Sequence, residues 1–258
     1  MPALHRARRP LALAAFALCT ALASASLWAD MYDDAVAHAG RPAKDVERDA
    51  LDHPAQILRL SGVGKGWKVG DYMGATGYYS ELLSYLVGPH GHVYLLNNQA
   101  YDDWSENRWQ GRINDRLPNV EHRQVDFENI GLPSHSLDAV FMIKVFHDLY
   151  WVDDDPKDHW PKFNTDRAMR EVNRVLKNRG VLVLVDHSAK PGTGATNAQD
   201  LHRIDEEFVV QQLQKHGFRL VSRSDVLRRP EDARDQITYK GPMVGKTDRF
   251  VLVFRKED

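Results

Sequence analysis

The sequence predicts an α/β protein with a doubly wound, mostly parallel sheet and helices on both faces of the sheet. Three observations predict it. Short apolar runs alternate along the chain with segments whose apolar residues recur at helical spacing. One run, beginning near Lys68, leads through a small-residue turn directly into such a helix. Polar residues collect after successive apolar runs, as expected at the carboxyl ends of parallel strands, where this architecture binds ligands.

The first strand, turn and helix form the most informative segment. The strand ends at Asp71, and a turn containing Gly74, Ala75 and Gly77 follows. The next apolar residues lie on one face of a helix: Tyr79, Leu82, Leu83 and Leu86. Glycines let the backbone approach a ligand closely, and amides at a helix start point toward it. We therefore expect an adenine nucleoside to bind at this turn.

The later elements continue the alternation. Further strands are predicted at 93–96, 120–125, 137–143, 181–185, 218–221 and 249–254. Helices are predicted from about 164 to 176, ending in the stop signal of residues 177–180, and from 205 to 216. The strand at 137–143 is apolar enough to be buried on both faces, which is typical of a parallel strand.

The first residues predict export. A basic segment around Arg8 and Arg9 precedes an apolar stretch from Leu11 to Ala23, and Ala23-Ser24-Ala25 has the pattern of a signal peptidase site. We expect residues 1–25 to be a signal peptide and residues 26–258 to be a single domain in the periplasm, with no membrane segment after cleavage. Cys19 lies in the signal, so the mature chain would contain no cysteine.

Composition narrows the class of partner. The chain has 34 basic and 36 acidic residues, interspersed along the sequence. This balance gives no electrostatic footprint for nucleic acid, which requires a basic surface. We expect a small-molecule substrate, and the sequence does not indicate an oligomeric state.

The turn excludes two common nucleotide motifs by its spacing. It has neither the Gly-x-x-x-x-Gly-Lys-Ser/Thr pattern of a phosphate loop nor the Gly-x-Gly-x-x-Gly pattern of a dinucleotide site. Residues 71–78 instead resemble the first motif of class I S-adenosylmethionine-dependent methyltransferases, commonly Asp-Leu-Gly-x-Gly-Thr-Gly-Tyr. Met73 and Ala75 stand where that motif has its first two glycines. The segments 71–80, 125–127, 146–148, 186–194, 201–205 and 245–250 together resemble a family of exported predicted methyltransferases.

The resemblance implies a Rossmann-like methyltransferase sheet, S-adenosylmethionine as cofactor and a set of cofactor-binding residues. Asp71 would orient the methionine end of the cofactor, and the loop residues Gly74, Ala75, Thr76 and Gly77 would line it. Asp126 and Phe127 match the pair that contacts the adenine by hydrogen bonding and stacking. Asn97, with Asn98 beside it, stands where an acidic residue usually binds the ribose hydroxyls.

Three histidines fall on segments that follow predicted strands or loops: His147, His187 and His202. Imidazole has an ordinary pKa of about 6.5, so any of them could act as a general base. His147 is the best individual candidate because it follows the fourth strand, where methyltransferases of this fold commonly place substrate-facing groups. For any single histidine, a structural role, capping a strand or bonding a loop carbonyl, is favoured over a catalytic one. A metal site with Asp148, Asp186 or Asp205 ranks below both, because no ligand pair has a diagnostic spacing. If these histidines take part in the chemistry, we predict that they are catalytic and bind no metal.

These observations predict an exported S-adenosylmethionine-dependent methyltransferase that acts on an unknown small molecule. S-adenosylmethionine is made in the cytoplasm, so a periplasmic enzyme would need a supply of it. A non-catalytic periplasmic protein that keeps the fold and binds a nucleoside or another small molecule is the alternative. A nicotinamide-dependent oxidoreductase is disfavoured by the spacing of the turn.

Overall fold

The computed structural model describes residues 31–114, 116–153 and 160–258. The described part contains a seven-stranded sheet in the order β3-β2-β1-β4-β5-β7-β6. Its strands are β1 (Lys68–Tyr72), β2 (His92–Asn97), β3 (Val120–Gln124), β4 (Leu137–Ile143), β5 (Leu176–His187), β6 (Phe218–Ser224) and β7 (Arg249–Lys256). Strands β1 to β5 are parallel, and β7 runs antiparallel to both β5 and β6. The predicted fold class is confirmed.

The helices lie before, between and after these strands. They are α1 (31–36), α2 (Ala43–Asp52), α3 (Pro54–Ser61), α4 (Tyr78–Val87), α5 (Gln99–Trp104), α6 (Gln110–Ile113), α7 (Thr165–Val175), α8 (Ala198–Leu201) and α9 (Glu206–Lys215). A short 3₁₀ turn occupies His147–Tyr150. Among the described residues, no helix has the length and apolar character needed to cross a membrane. The predicted signal peptide, residues 1–25, lies outside the described residues.

Two hydrophobic clusters cover the two faces of the sheet. Side chains alternate along each strand, so Val140 and Met142 of β4 join one cluster while Ala139 and Phe141 join the other. The first cluster packs against α5, α7 and α9, and the second packs against α1, α3, α4 and α6. Burial on both faces explains why the central strands are continuously apolar in the sequence.

The strand β5 differs from its prediction. It begins at Leu176, whereas the sequence predicts a strand only from Val181, after a helix stop. The helix α7 ends at Val175 as expected, but the stop segment continues as extended chain, with Lys177 and Arg179 exposed. The pairing of β5 with β4 is irregular at this point, between Leu137 and Ala139 of β4. The first residues of β5 are therefore an irregular extension that precedes the buried part of the strand.

The strand order reverses between β1 and β4. Strands β2 and β3 lie on one side of β1, and β4 and β5 lie on the other. The loops that leave the carboxyl ends of β1 and β4 therefore diverge and open a crevice at this edge, which is where doubly wound sheets bind ligands. We call this edge the carboxyl edge.

Candidate active site

The loop between β1 and α4 is the candidate cofactor loop, residues 73–77. The backbone φ angles of Met73, Ala75 and Gly77 are +54°, +51° and +78°, in the left-handed region that favours glycine. Met73 and Ala75 therefore adopt the backbone conformation that the motif usually assigns to glycines. A Cβ atom on Gly74 would lie 2.5 Å from the carboxylate of Asp71, so packing requires glycine at this position.

The cofactor loop is accessible from the carboxyl edge, while the residues on either side of it are buried. Gly74, Ala75 and Thr76 are partly exposed. The Asp71 side chain is buried beneath them and accepts a hydrogen bond from the Ser80 hydroxyl at 2.7 Å. Burial raises the pKa of Asp71 to about 6, against the opposing effect of the Ser80 hydrogen bonds. Asp71 therefore changes charge just below neutral pH.

Two asparagines lie at the end of β2, and one of them, Asn97, holds the other side of the cofactor loop. Asn97 accepts a hydrogen bond from the backbone N–H of Ala75 at 2.9 Å and donates to its carbonyl at 3.0 Å. It also donates to Asp102 at 2.9 Å. Asn98 accepts from the backbone N–H of Tyr101 at 2.9 Å, and its buried Nδ2 has no hydrogen-bond partner among the described residues. Asn97 fixes the loop, and Asn98 keeps a free donor.

The predicted adenine pair follows β3. Asp126 is exposed, and its Oδ1 accepts a hydrogen bond from the backbone N–H of Glu128 at 2.8 Å. The ring of Phe127 is 1% exposed and lies 4.3 Å, centroid to centroid, from the ring of Tyr72. Phe127 therefore packs in the core in this structure, and its contact with an adenine stays a prediction.

The helix α2 covers the same edge, which the sequence reasoning missed. It carries aspartates at positions that share one helical face: Asp45, Asp49 and Asp52. Asp45 pairs with Arg112 at 2.5 Å, and Arg112 donates to the carbonyl of Thr76 in the cofactor loop at 2.7 Å. Asp49 accepts from the Tyr78 hydroxyl at 2.5 Å. The spacing of the aspartates was visible in the sequence, but their partners were not.

Asp52 is the centre of a buried group of charges. It pairs with Arg249 of β7, with Arg48 at 2.6 Å and with Lys144 at 3.3 Å. These cations hold the pKa of Asp52 far below its ordinary range, against the effect of burial. Burial and the charges of Arg48 and Arg249 lower the pKa of Lys144 to about 8, although Asp52 opposes that shift. The ion pairs of Asp52 connect α2 to the first residue of β7, Arg249, and to the residue that follows β4, Lys144.

The histidine cluster lies after β4 and β5. His147 Nδ1 is 2.7 Å from Oδ1 of Asp186, the buried carboxylate near the end of β5. Asp186 also accepts the backbone N–H groups of His147 at 3.0 Å and His187 at 2.7 Å. Two adjacent strands therefore fix the position and orientation of the His147 ring.

The outer nitrogen of His147 meets two further side chains. Its Nε2 is 3.2 Å from Asp148 Oδ1 and 3.3 Å from His202 Nδ1, and the latter two atoms are 3.4 Å apart. Tyr101 donates a hydrogen bond to the other oxygen of Asp148 at 2.6 Å. The structure thus brings His147 and His202 together.

His187 takes a different position. Its Nδ1 is 2.7 Å from the Thr247 hydroxyl, and its ring centroid is 6.0 Å from that of His147. Burial, followed by the charge of His147, holds the pKa of His187 well below its ordinary value. Asp205, one of the alternative metal ligands, instead caps α9 by accepting the backbone N–H of Glu207 at 3.0 Å.

The charge state of His147 bears on its predicted role as a base. Burial by itself lowers the pKa of His147, but the carboxylates of Asp148 and Asp186 outweigh burial and raise this pKa to about 10. A ring with that pKa is protonated at neutral pH and has no lone pair with which to accept a proton. The general-base roles of His147, His187 and His202 stay predictions.

Comparison with known proteins finds methyltransferases among the proteins similar to this chain. Residues 73–184 match the methyltransferase domain family. The ubiquinone/menaquinone biosynthesis C-methyltransferase UbiE of Pseudomonas putida (strain GB-1) is 29% identical over 147 residues, which cover 56% of this chain and 51% of that protein. The Pasteurella multocida (strain Pm70) enzyme of the same name is 32% identical over 133 residues, which cover 51% of this chain and 44% of that protein. The chain spans about half the length of these relatives.

Solved structures share the architecture. A SAM-dependent methyltransferase from Aquifex aeolicus has a TM-score of 0.55 at 22% identity, covering 82% of this chain and 98% of its own. A complex of the Haloferax volcanii Trm112 methyltransferase activator and a putative methyltransferase has a TM-score of 0.56 at 14% identity. The match covers 88% of this chain and 98% of the chain in that structure. Identities this low show the fold alone. The domain match therefore relates residues 73–184 to methyltransferases, and the solved structures show that the chain shares their fold.

Proposed function

We propose that this protein is an exported S-adenosylmethionine-dependent methyltransferase that acts on a small molecule. The observation that carries the proposal is the cofactor loop, which Asn97 clamps at the carboxyl edge of a sheet of this order. The domain match covers that loop, since it runs from 73 to 184. Export rests on the signal-like sequence of residues 1–25.

The residues at the cofactor loop fit S-adenosylmethionine. The backbone of Gly74 to Thr76 is accessible, and Met73 buries its side chain in the core. Asn98 Nδ2 is a buried donor without a partner among the described residues, and it lies directly after β2, where the ribose hydroxyls would offer acceptors. Asp71, ionised at neutral pH, would attract the cofactor's ammonium group through the loop.

The bound cofactor supplies an electrophilic methyl group on a sulfonium, and the protein acts mainly by positioning the acceptor in line with it. We place the acceptor beside the histidine cluster, where aromatic rings gather. The ring centroids of Trp151 and Trp160 are 5.2 Å apart, Trp160 lies 5.4 Å from Tyr101, and Tyr239 lies 4.7 Å from His202. A surface formed by these aromatic rings suits a small, partly apolar acceptor.

Calorimetric titration with S-adenosylhomocysteine tests the cofactor assignment. We expect binding by the unmutated protein and its loss in Gly77→Val, because Gly77 has φ +78° and begins α4 beside the accessible loop. Gly62→Val is the matched control. Gly62 also has a left-handed backbone, φ +69°, but ends α3, and a side chain there would meet nothing within 4 Å.

Equal affinity in both variants would contradict the loop assignment. No binding by the unmutated protein, with binding of another nucleoside, would favour a non-catalytic binding protein.

Export is tested separately by intact-mass analysis of the chain from the periplasmic fraction. We expect the mass of a chain that begins after Ala25, because Ala23-Ser24-Ala25 has the small-residue pattern of a cleavage site. Full-length protein that stays in the cytoplasm would refute the export proposal and leave the cofactor assignment untouched.

A further inference from the structure

Three potential ligand atoms in the histidine cluster form a nearly equilateral triangle. They are His147 Nε2, Asp148 Oδ1 and His202 Nδ1, separated by 3.2, 3.3 and 3.4 Å. We propose that these atoms bind one zinc ion and leave its fourth position open to water or to a small-molecule ligand. From the sequence, a metal site was only the weakest of three alternatives and no metal was predicted, so this proposal replaces that prediction.

The size of the triangle selects the kind of ion. Zinc binds imidazole nitrogen and carboxylate oxygen at about 2.0–2.2 Å in tetrahedral geometry. Three atoms about 3.3 Å apart, each about 2.1 Å from a common centre, subtend angles of about 104° there, close to tetrahedral. Magnesium requires right angles at about 2.1 Å, which would bring neighbouring ligands to about 3.0 Å. The observed separations therefore fit zinc better than magnesium.

The surrounding hydrogen bonds orient the ligands toward the centre of the triangle. Asp186 accepts from Nδ1 of His147 at 2.7 Å, so a neutral His147 ring directs its Nε2 lone pair at the other two ligands. A carboxylate behind a ligating histidine is a common arrangement in zinc sites. Tyr101 donates to Oδ2 of Asp148 at 2.6 Å and leaves Oδ1 for the ion.

The site also has a route from solvent. His147 is buried, but the His202 side chain is 18% exposed and lies on the loop that follows α8. The ion would therefore reach the site past His202, beside the rings of Trp151 and Tyr239. Its open position would lie at the acceptor side of the crevice.

A metal-free arrangement can produce the same distances. A proton on His147 would then bridge to Asp148 and His202 as a charge-assisted hydrogen bond. Only the zinc arrangement predicts stoichiometric binding of a divalent cation, and only it makes that binding depend on His202 and Tyr101.

The test is calorimetric titration of the untagged, EDTA-treated protein with zinc chloride. We expect one ion per chain, and titration with Co²⁺ should give the visible absorption of a tetrahedral ion. His202→Ala should weaken zinc binding by at least about 100-fold, because loss of a direct ligand should cost more than the roughly 10-fold to 100-fold typical of an outer-layer partner. Tyr101→Phe removes only a hydroxyl behind Asp148 and should weaken zinc binding about 10-fold to 100-fold, the effect typical of outer-layer partners.

His216→Ala is the matched control. Its side chain is 7% exposed and, within the described part of the chain, contacts a single carboxylate, that of Asp166 at 3.1 Å, so it resembles the cluster without completing a ligand set. Zinc affinity should be unchanged in this variant. Thermal melting of each metal-free variant verifies that it folds.

Absence of zinc binding by the unmutated protein would overturn the proposal, and so would equal affinity in His202→Ala. Normal affinity in a Tyr101→Phe protein that melts like the unmutated one would also count against the assigned geometry. Titration with S-adenosylhomocysteine is a separate measurement, so a failed zinc site leaves the proposed cofactor site standing.

Discussion

Replacing Asp52 by asparagine should destabilise the protein strongly, because this carboxylate neutralises a deeply buried cation, Arg249, at the carboxyl edge. The Arg249 side chain is 2% exposed and pairs with Asp52. Asparagine keeps the shape of the side chain and removes only its charge. Arg249 would then remain buried beside two other cations, Arg48 and Lys144, without the anion that all three share.

The expected loss is about 3 kcal/mol of unfolding free energy. Removing one partner of a buried ion pair typically costs about 3–5 kcal/mol. The lower end applies here, because the Arg48 and Lys144 side chains keep 34% and 26% exposure and can turn toward water. With a urea dependence of about 3 kcal/mol/M, the unfolding midpoint would fall by about 1 M.

Urea unfolding followed by circular dichroism measures this loss, and Asp33→Asn is the control. Asp33 pairs with Arg59 at 2.9 Å, but the two side chains are 64% and 38% exposed, so we expect a loss below about 1 kcal/mol. The difference between Asp52→Asn and the unmutated protein should also depend on pH. The folded-state pKa of Asp52 is depressed, so its stabilisation is complete above its unfolded value of about 4 and is lost as pH falls further.

A loss below about 1 kcal/mol in Asp52→Asn at pH 7 would contradict the assigned role of Asp52. It would mean that Arg249 finds water or another partner when the carboxylate is gone, and that α2 is not held by these charges.

Three further predictions concern the same edge. Affinity for S-adenosylhomocysteine, measured by calorimetry, should fall as pH drops below about 6 because Asp71 becomes protonated, and Asp71→Asn should remove this dependence. Lys144 should titrate near pH 8, and Asp52→Asn should lower its pKa further, as followed by NMR of the dimethylated amine; an unchanged pKa would exclude the coupling. Gly74→Ala should lower the free energy of unfolding by about 1–3 kcal/mol, because its Cβ would lie only 2.5 Å from the Asp71 carboxylate, whereas Gly111→Ala, with open space around it, should not.

The fold could be predicted from the sequence because its central strands are buried on both faces. The strand β4 has the same bounds, Leu137–Ile143, in the prediction and in the structure. The prediction of β5 was wrong at its start, since residues 177–179 are exposed and give no apolar signal. In the sequence alone, a polar segment that extends a strand looks the same as a polar segment that ends a helix, and residues 177–179 do both.

The sequence indicated which residues to consider for the candidate site, but it did not show which of them contact each other. The sequence identified the cofactor loop and the three histidines by their places after strands. It could not tell which histidines meet, because His147 and His202 are 55 residues apart and join only through the folding of the loop after β5. The aspartates of α2 were missed for the same reason, since Asp52 and Arg249 are 197 residues apart.

One short helix connects the two halves of the site. Within α5, Asp102 accepts from Asn97, which clamps the cofactor loop, and the neighbouring Tyr101 donates to Asp148 in the histidine cluster. The loop follows β1 and the cluster follows β4, so α5 spans the crevice that the reversal of strand order opens. A displacement of α5 would therefore change the cofactor loop and the proposed zinc ligands together. Tyr101→Phe, which leaves Asp102 in place, should weaken zinc binding and leave the clamp on the loop intact.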